Sequence, residues 1–179
     1  LRASSNTRVG AAGFAPTRVF ELALSDADGE ARLENPDGFD ANRGLGRLTA
    51  GAGLPVRTAR LDSLLGDREV GVMKVDVEGH ELAVFRGAAE ALAAGRVSHV
   101  VFEDHVGPDS PVCRFLAELG FTLFRVGWRL RGPVLALVLG GGGARAYEAP
   151  SYLATRAADR AADACRPRGW ACLRRRGGG

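Results

Sequence analysis

The stretch "GVMKVDVEGHELAVFRGA", residues 71–88, decides how this chain folds. Side chains alternate along a strand, so Lys74, Asp76 and Glu78 share one face while Met73, Val75 and Val77 share the other. A strand buried on both faces is apolar throughout, so three charges on one face need a reason. Two are open. Lys74 pairs with a neighbouring carboxylate at a solvated strand end, or the carboxyl end of the strand carries a polar site. His80 follows near a helix start, where a surface position is the plainer account of it. Glu81 suits a first helical turn because acids complement the positive end of the helix dipole.

Outward from that stretch the periodicity alternates between helix and strand. Leu82, Phe85, Ala89 and Leu92 form one stripe of a helix over about 80–94, closed by Gly95. "VSHVVFEDH" (97–105) is a buried type of strand. "DSPVCRFLAELG" (109–120) is a helix with Asp109 or Ser110 as cap and Pro111 in its first turn. Val112, Phe115, Leu116 and Leu119 recur there at helical spacing. "FTLFRVGWRL" (121–130) and "PVLALVLG" (133–140) read as two strands. The Arg131–Gly132 turn between them is too short for a crossover, so they are antiparallel. Upstream, "RVFELALSDADGEARL" (18–33) predicts a strand over 18–24, a turn at Asp26–Gly29 and a second strand. Residues 35–54 are rich in Gly, Asn and Asp and predict a loop. "PVRTARLDSLLG" (55–66) predicts a short strand and a helical turn from about Asp62.

The resulting order, strand–helix–strand–helix–strand–hairpin, is the back half of a doubly wound α/β sheet with an antiparallel edge hairpin. Ligands of such sheets bind outside the carboxyl ends of the parallel strands. One such end carries Asp76, Glu78 and His80. The other carries Glu103, Asp104 and His105.

Composition narrows the class. At 179 residues the chain can build one real core, and 46% hydrophobic with 25% charged residues is ordinary for a globular domain. No apolar run approaches the roughly 20 residues of a membrane span, so no membrane partner is expected. The start lacks an apolar leader region and an initiating Met, which suggests a fragment. Cys113, Cys165 and Cys172 form no CxxC pair, which suggests reduced thiols and a cytoplasmic setting. The net charge of +3 is uneven, because seven arginines and two aspartates fall after residue 155. That basic tail brings no motif or aromatic support for nucleic acid, so no nucleic-acid partner is expected. Lys74 is the single lysine among the 24 basic residues.

The residues "LDSLL" (61–65), "VMKVDVEGHELAVFRGA" (72–88), "VVFEDH" (100–105) and "FLAELGF" (115–121) resemble the FkbM-type methyltransferase family. The likeness begins at "ALSD" (23–26) and reaches "APSYLAT" and "GWACL" near the C-terminus, so it covers most of the chain. Two positions depart from the family pattern. Phe85 stands where Leu is common, and Ser151 where Asn is expected. The resemblance implies a Rossmann-like class I sheet, S-adenosylmethionine as cofactor, and methyl transfer. The usual acceptor is a hydroxyl oxygen of a sugar, macrolide or other secondary metabolite. It further implies that Ser25 and Asp26 line the adenine side of the cofactor, although a turn-forming role accounts for both.

A domain of that kind opens with a strand, a glycine-rich turn and a helix, and an acid about 20 residues on holds the ribose. "VGAAGF" (9–14) has no room for a preceding strand. The glycines at 44–53 lie in the predicted loop. "LALVLGGGGARAYEAP" (135–150) resembles the glycine-rich oxyanion stretch of patatin-like lipases, yet no Gly-x-Ser-x-Gly elbow follows it. It reads as a flexible exit from the last strand. The expectation is therefore a chain lacking the N-terminal strands of its domain. Residues 1–147 form the C-terminal part of a methyltransferase domain, and 148–179 a basic extension of short helix and tail. Such a chain binds S-adenosylmethionine poorly alone, and its exposed apolar edge favours self-association.

For methyl transfer the protein holds the acceptor oxygen and removes a proton. Asp76 is the first candidate base and Glu103 the second, because they end adjacent strands; His105 is an alternative. Glu78 and His80 are assigned to acceptor binding. Asp76, Glu78 and Glu103 also have the oxygen chemistry that divalent cations take, but no metal site is predicted. Two rivals stand beside this reading: a non-catalytic interaction module, and a metal-dependent hydrolase using the same strand ends.

Overall fold

The computed structural model describes residues 3–5, 18–34, 46–49, 51–129, 132–138 and 151–166. Strand β1 (Ala3–Ser5) pairs antiparallel with β2 (Arg18–Phe20). β3 (Ala23–Leu24), β4 (Gly29–Glu34), β5 (Arg47–Thr49) and β6 (Leu54–Ala59) form a second sheet in the order β3-β6-β4-β5. α1 (Leu61–Leu65) leads into β7 (Val70–Val75), α2 (Glu81–Arg86), α3 (Ala89–Ala93) and β8 (Val97–Glu103). α4 (Pro111–Glu118), β9 (Thr122–Arg129), β10 (Gly132–Leu137), β11 (Ser151–Thr155) and α5 (Ala158–Ala164) complete the chain.

The main sheet has the order β10-β9-β11-β8-β7. β7 and β8 are parallel neighbours, with Val75 opposite Phe102. β9 and β10 form the expected antiparallel hairpin, with Gly132 opposite Arg129. The capping of α4 is also as the sequence predicts. Ser110 is the N-cap, its Oγ accepts from the Cys113 N–H at 3.0 Å, and Pro111 opens the helix where its missing N–H costs nothing.

Four expectations are corrected. The strand over 18–24 is two strands in two sheets. Leu24 is drawn to β6, where the next residue donates Ser25 N–H to Ala59 O at 3.0 Å, while Arg18–Phe20 pairs with β1. Part of the loop over 35–54 is strand: β5 pairs with β4, Leu48 opposite Leu33, and β6 begins at Leu54. The long helix over 80–94 is broken after Arg86. A Cβ on Gly87 would stand 1.9 Å from the Ser25 carbonyl oxygen, so only glycine lets that backbone so close. Asp62 fixes the break: its N–H donates to Gly87 O at 2.9 Å, and its carboxylate accepts from the N–H groups of Glu90 (3.0 Å) and Ala91 (2.8 Å). Finally, residues 148–179 are not wholly an extension. β11 lies inside the main sheet, antiparallel to both β8 and β9. The glycines at 9–14 and 139–143, Cys172 and the basic tail after 166 lie outside the described residues.

The core fills the space between the sheet and α2, α3 and α4. Phe85, Leu92, Val97, Val100, Phe102 and Leu116 are fully buried in it. The Phe102 ring stacks on Tyr152 at 5.3 Å and meets Phe85 edge-on at 5.6 Å, geometries that suit the ring quadrupoles. Arg156, just past β11, ties two helix ends together. Its guanidinium donates to Leu92 O at 2.9 Å and to Leu119 O at 2.6 Å, over the Phe121 ring.

Candidate functional site

β7 ends at Val75, and its continuation has to turn into α2 within five residues. Glu78 and Gly79 make that turn with φ of 48° and 92°. Glu78 is the one non-glycine residue with a positive φ among the described residues, and such outliers gather where a site holds its backbone in place. Glu81 secures the turn. Its Oε1 accepts from the N–H of Gly79 at 3.2 Å and of Val77 at 3.4 Å. The residue credited in the sequence to the helix dipole thus also satisfies two backbone donors of the turn.

The strand-end carboxylates come together. Asp76, Glu78, Glu81, Glu103, Asp104 and His105 line one cleft of about 310 Å³, between the ends of β7 and β8 and the start of α4. All three candidate proton acceptors, Asp76, Glu103 and His105, are in it. Lys74 is not among the lining residues. Its ammonium lies 2.7 Å from Asp76 Oδ2, and the Asp76 carboxylate, with a smaller contribution from Glu103, holds its pKa above the usual lysine value. Both openings left by the sequence therefore occur together: Lys74 pairs with a carboxylate, and that carboxylate faces a cleft. The pair is exposed, where ion pairs contribute little stability.

His80 goes elsewhere. It parts from Glu78, the residue it was grouped with, because it precedes α2 on the other side of the turn. Its Nε2 lies 3.0 Å from Ser25 Oγ, and Ser25 in turn lies 3.2 Å from Asp26 Oδ1. If the Ser25 hydroxyl donates to the carboxylate, its oxygen accepts from an Nε2–H. Ser25 and His80 line a second, more open cleft of about 600 Å³ with Glu30, Arg32, Thr49 and Pro55. The turn 76–80 is thus the wall between two clefts.

Asp104 was passed over in favour of its neighbours. It is 7% exposed, its Oδ1 accepts from the Val106 N–H at 2.8 Å, and its Oδ2 is buried without a hydrogen-bond partner. A signal for it exists: Val100, Phe102 and Asp104 share a parity, so a carboxylate continues the buried face. Burial first, and the charge of Asp104 among the lesser causes, keep the Cys113 thiol and the Tyr152 phenol above their ordinary pKa values. Among the described residues no three His, Cys, Asp or Glu side chains are placed to share a metal ion. No described helix is long and apolar enough to cross a membrane.

Comparison with known proteins adds the following. The family described as "Methyltransferase FkbM domain" matches residues 16–123, a stretch that runs from β2 to the start of β9. The "Hexuronic acid methyltransferase AglP" of Haloferax volcanii is 36% identical over 110 residues. That match covers 58% of this chain and 44% of the relative, so the chain spans less than half of that protein's length. No solved structure matches the chain significantly.

Proposed function

The chain belongs to the FkbM methyltransferase family, and from that premise we propose that it serves O-methylation of a small-molecule hydroxyl in the cleft between the ends of β7 and β8. The acceptor class is a sugar or a related secondary metabolite; the archaeal relative's name specifies a hexuronic acid. The observation that carries the proposal is the meeting of Asp76 and Glu103 in one cleft at the ends of neighbouring parallel strands. The reaction runs in the cytoplasm.

The residues fit part of S-adenosylmethionine. Ser25, Asp26 and His80 offer donors and acceptors beside an open cleft wide enough for a nucleoside. The glycine turn and the ribose-holding acid are not found among the described residues. When bound, S-adenosylmethionine would supply a sulfonium methyl for transfer to the acceptor oxygen. Asp76 takes the hydroxyl proton. Lys74 orients Asp76 for that task through its 2.7 Å contact with Oδ2, and Glu81 holds the turn on which Asp76 and Glu78 stand. Glu103 and His105 hold the acceptor from the β8 side.

The test is S-adenosylhomocysteine release by the purified chain, with a panel of hydroxylated acceptors, beside calorimetric titration of S-adenosylmethionine. Asp76→Asn is expected to lower turnover roughly 100-fold with an unchanged melting temperature. Undiminished turnover in Asp76→Asn removes Asp76 as the base. Low-micromolar cofactor affinity overturns the expectation that the chain alone binds it poorly.

A further inference from the structure

The cleft between β7 and β8 opens at one end of the main sheet, and the strand register fixes what stands beside it. Lys74 lies opposite Val101, Val101 opposite Leu153, and Leu153 opposite Phe124. Two residues further along β8, Glu103 lies opposite Ser151, and Ser151 opposite Val126. The 2.7 Å contact with Lys74 puts Asp76 on the same face. Asp76, Glu103, Ser151 and Val126 therefore form a row on one face of the sheet, at its rim. β11 starts at Ser151, but β9 continues to Arg129, paired there with β10 alone. The β9–β10 hairpin thus stands past the rim, at the end where Asp76 and Glu103 close their strands. Alternation returns Trp128 to the face of Val126, with Pro133 as its cross-strand neighbour. Trp128 is 74% exposed, more than any other aromatic side chain among the described residues. Tryptophan is highly buried on average, so a paired strand that holds one in solvent beside a substrate cleft calls for an occupant.

We propose that Trp128 is a stacking platform for the acceptor, which is then a glycan of at least two rings rather than a single sugar. β7, β8, β11 and β9 are successive neighbours in the sheet. Three strand spacings, roughly 14 Å, therefore separate the Asp76 end of the row from the strand of Trp128. A single ring held at Asp76 and Glu103 falls short of that; a chain of rings laid along the row spans it. The C–H face of a pyranose lies flat on an aromatic ring, whose electron-rich face attracts those hydrogens. Ser151, between the two ends, offers a hydroxyl that donates to or accepts from the hydroxyls of the glycan. It is also smaller than the Asn expected at that position, which keeps the row open. The inference rests on the methyltransferase reading for the word acceptor, and the platform can be tested without turnover.

The chain has two tryptophans, so Trp170→Phe leaves Trp128 as the single one and its fluorescence as the readout. Methyl glucoside, maltose, maltotriose and trigalacturonic acid are titrated into that variant without cofactor. The better-bound trisaccharide is expected to move the emission to shorter wavelength and to bind about tenfold tighter than methyl glucoside. Trp128→Ala, read by calorimetry in the otherwise unchanged chain, brings that trisaccharide down to the affinity of the single ring; Trp128→Phe keeps part of the preference. Equal affinities across chain length, a preference that survives Trp128→Ala, or no response to any of the four overturns the proposal. In the last case a shift on raising the concentration of the chain itself assigns Trp128 to contact between copies. Length-dependent binding with no S-adenosylhomocysteine from any of the four leaves the platform standing and removes the methyltransferase reading. Turnover of a trisaccharide with a KM that Trp128→Ala does not move does the opposite.

Discussion

The two faces of the main sheet are built from the same strands with the same alternation, yet they differ sharply. Met73, Val75, Val100, Phe102 and Ala154 lie under α2, α3 and α4 and are buried. On the other face Val72 is 64% exposed, and it joins Val101, Val126, Leu135 and Leu153 along a shallow apolar groove of about 350 Å³ beside α5. Apolar alternation therefore says that a face can be buried, and only the neighbouring elements say whether it is. Stability resides on the helical face. The clefts lie at the rim, where the strands end and neither face needs to be apolar.

The sharpest way to break that contrast is to empty both sides. Phe102→Ala removes a fully buried ring wedged between Phe85 and Tyr152, and is expected to cost about 3–5 kcal/mol in denaturant unfolding. Val72→Ala, on the same sheet, is expected to stay within about 0.5 kcal/mol. Comparable losses from the two would mean that the open face is covered in solution.

Alkaline titration reads the covered face alone. Tyr152 and Cys113 are buried there, with pKa values held above the ordinary 10.0 and 9.0, chiefly by burial. An acid whose folded pKa is raised contributes stability that is whole below its unfolded pKa and is lost as pH rises through the folded value. Unfolding free energy is therefore expected to be level up to about pH 9 and to fall above it. The double variant Tyr152→Phe, Cys113→Ala should flatten that fall; an unchanged curve would assign it to other groups.

The smallest expected effect on stability tests the open face. We expect the chain to self-associate through its apolar groove and the outer edge of β7, which no strand among the described residues covers. Val72→Asp should shift sedimentation toward the monomer with little change in melting temperature. A monomeric wild-type chain at tens of micromolar would end that expectation.

The segment from β7 to β10 was legible because its signals are local and strong. Period-two runs, a capped amphipathic helix and a turn too short for a crossover each specify one answer. The meeting of Asp76 and Glu103 followed from the same order. What stayed hidden depends on distant partners. Gly87 breaks a well-patterned helix only because Ser25, far away in sequence, brings its carbonyl against it. His80 left its sequence neighbour Glu78 for the same serine, 55 residues away. β5 is three residues in glycine-rich surroundings, too short for any pattern to show. β11 follows a glycine run that resembles a departure from the domain, and only its pairing with β8 and β9 identifies it as a sheet strand.

That strand has a consequence for how the protein is made. β11 is synthesised after both β8 and β9, yet it takes the place between them. Until it has left the ribosome, β7 and β8 with their helices form one partial structure and the β9–β10 hairpin forms another. Nothing in the main sheet hydrogen-bonds the two. The nascent chain thus carries two unpaired strand edges, those of β8 and β9, until a single later segment joins both. Such late, long-range closure is slow, and it leaves a window in which the waiting edges invite chaperones or one another.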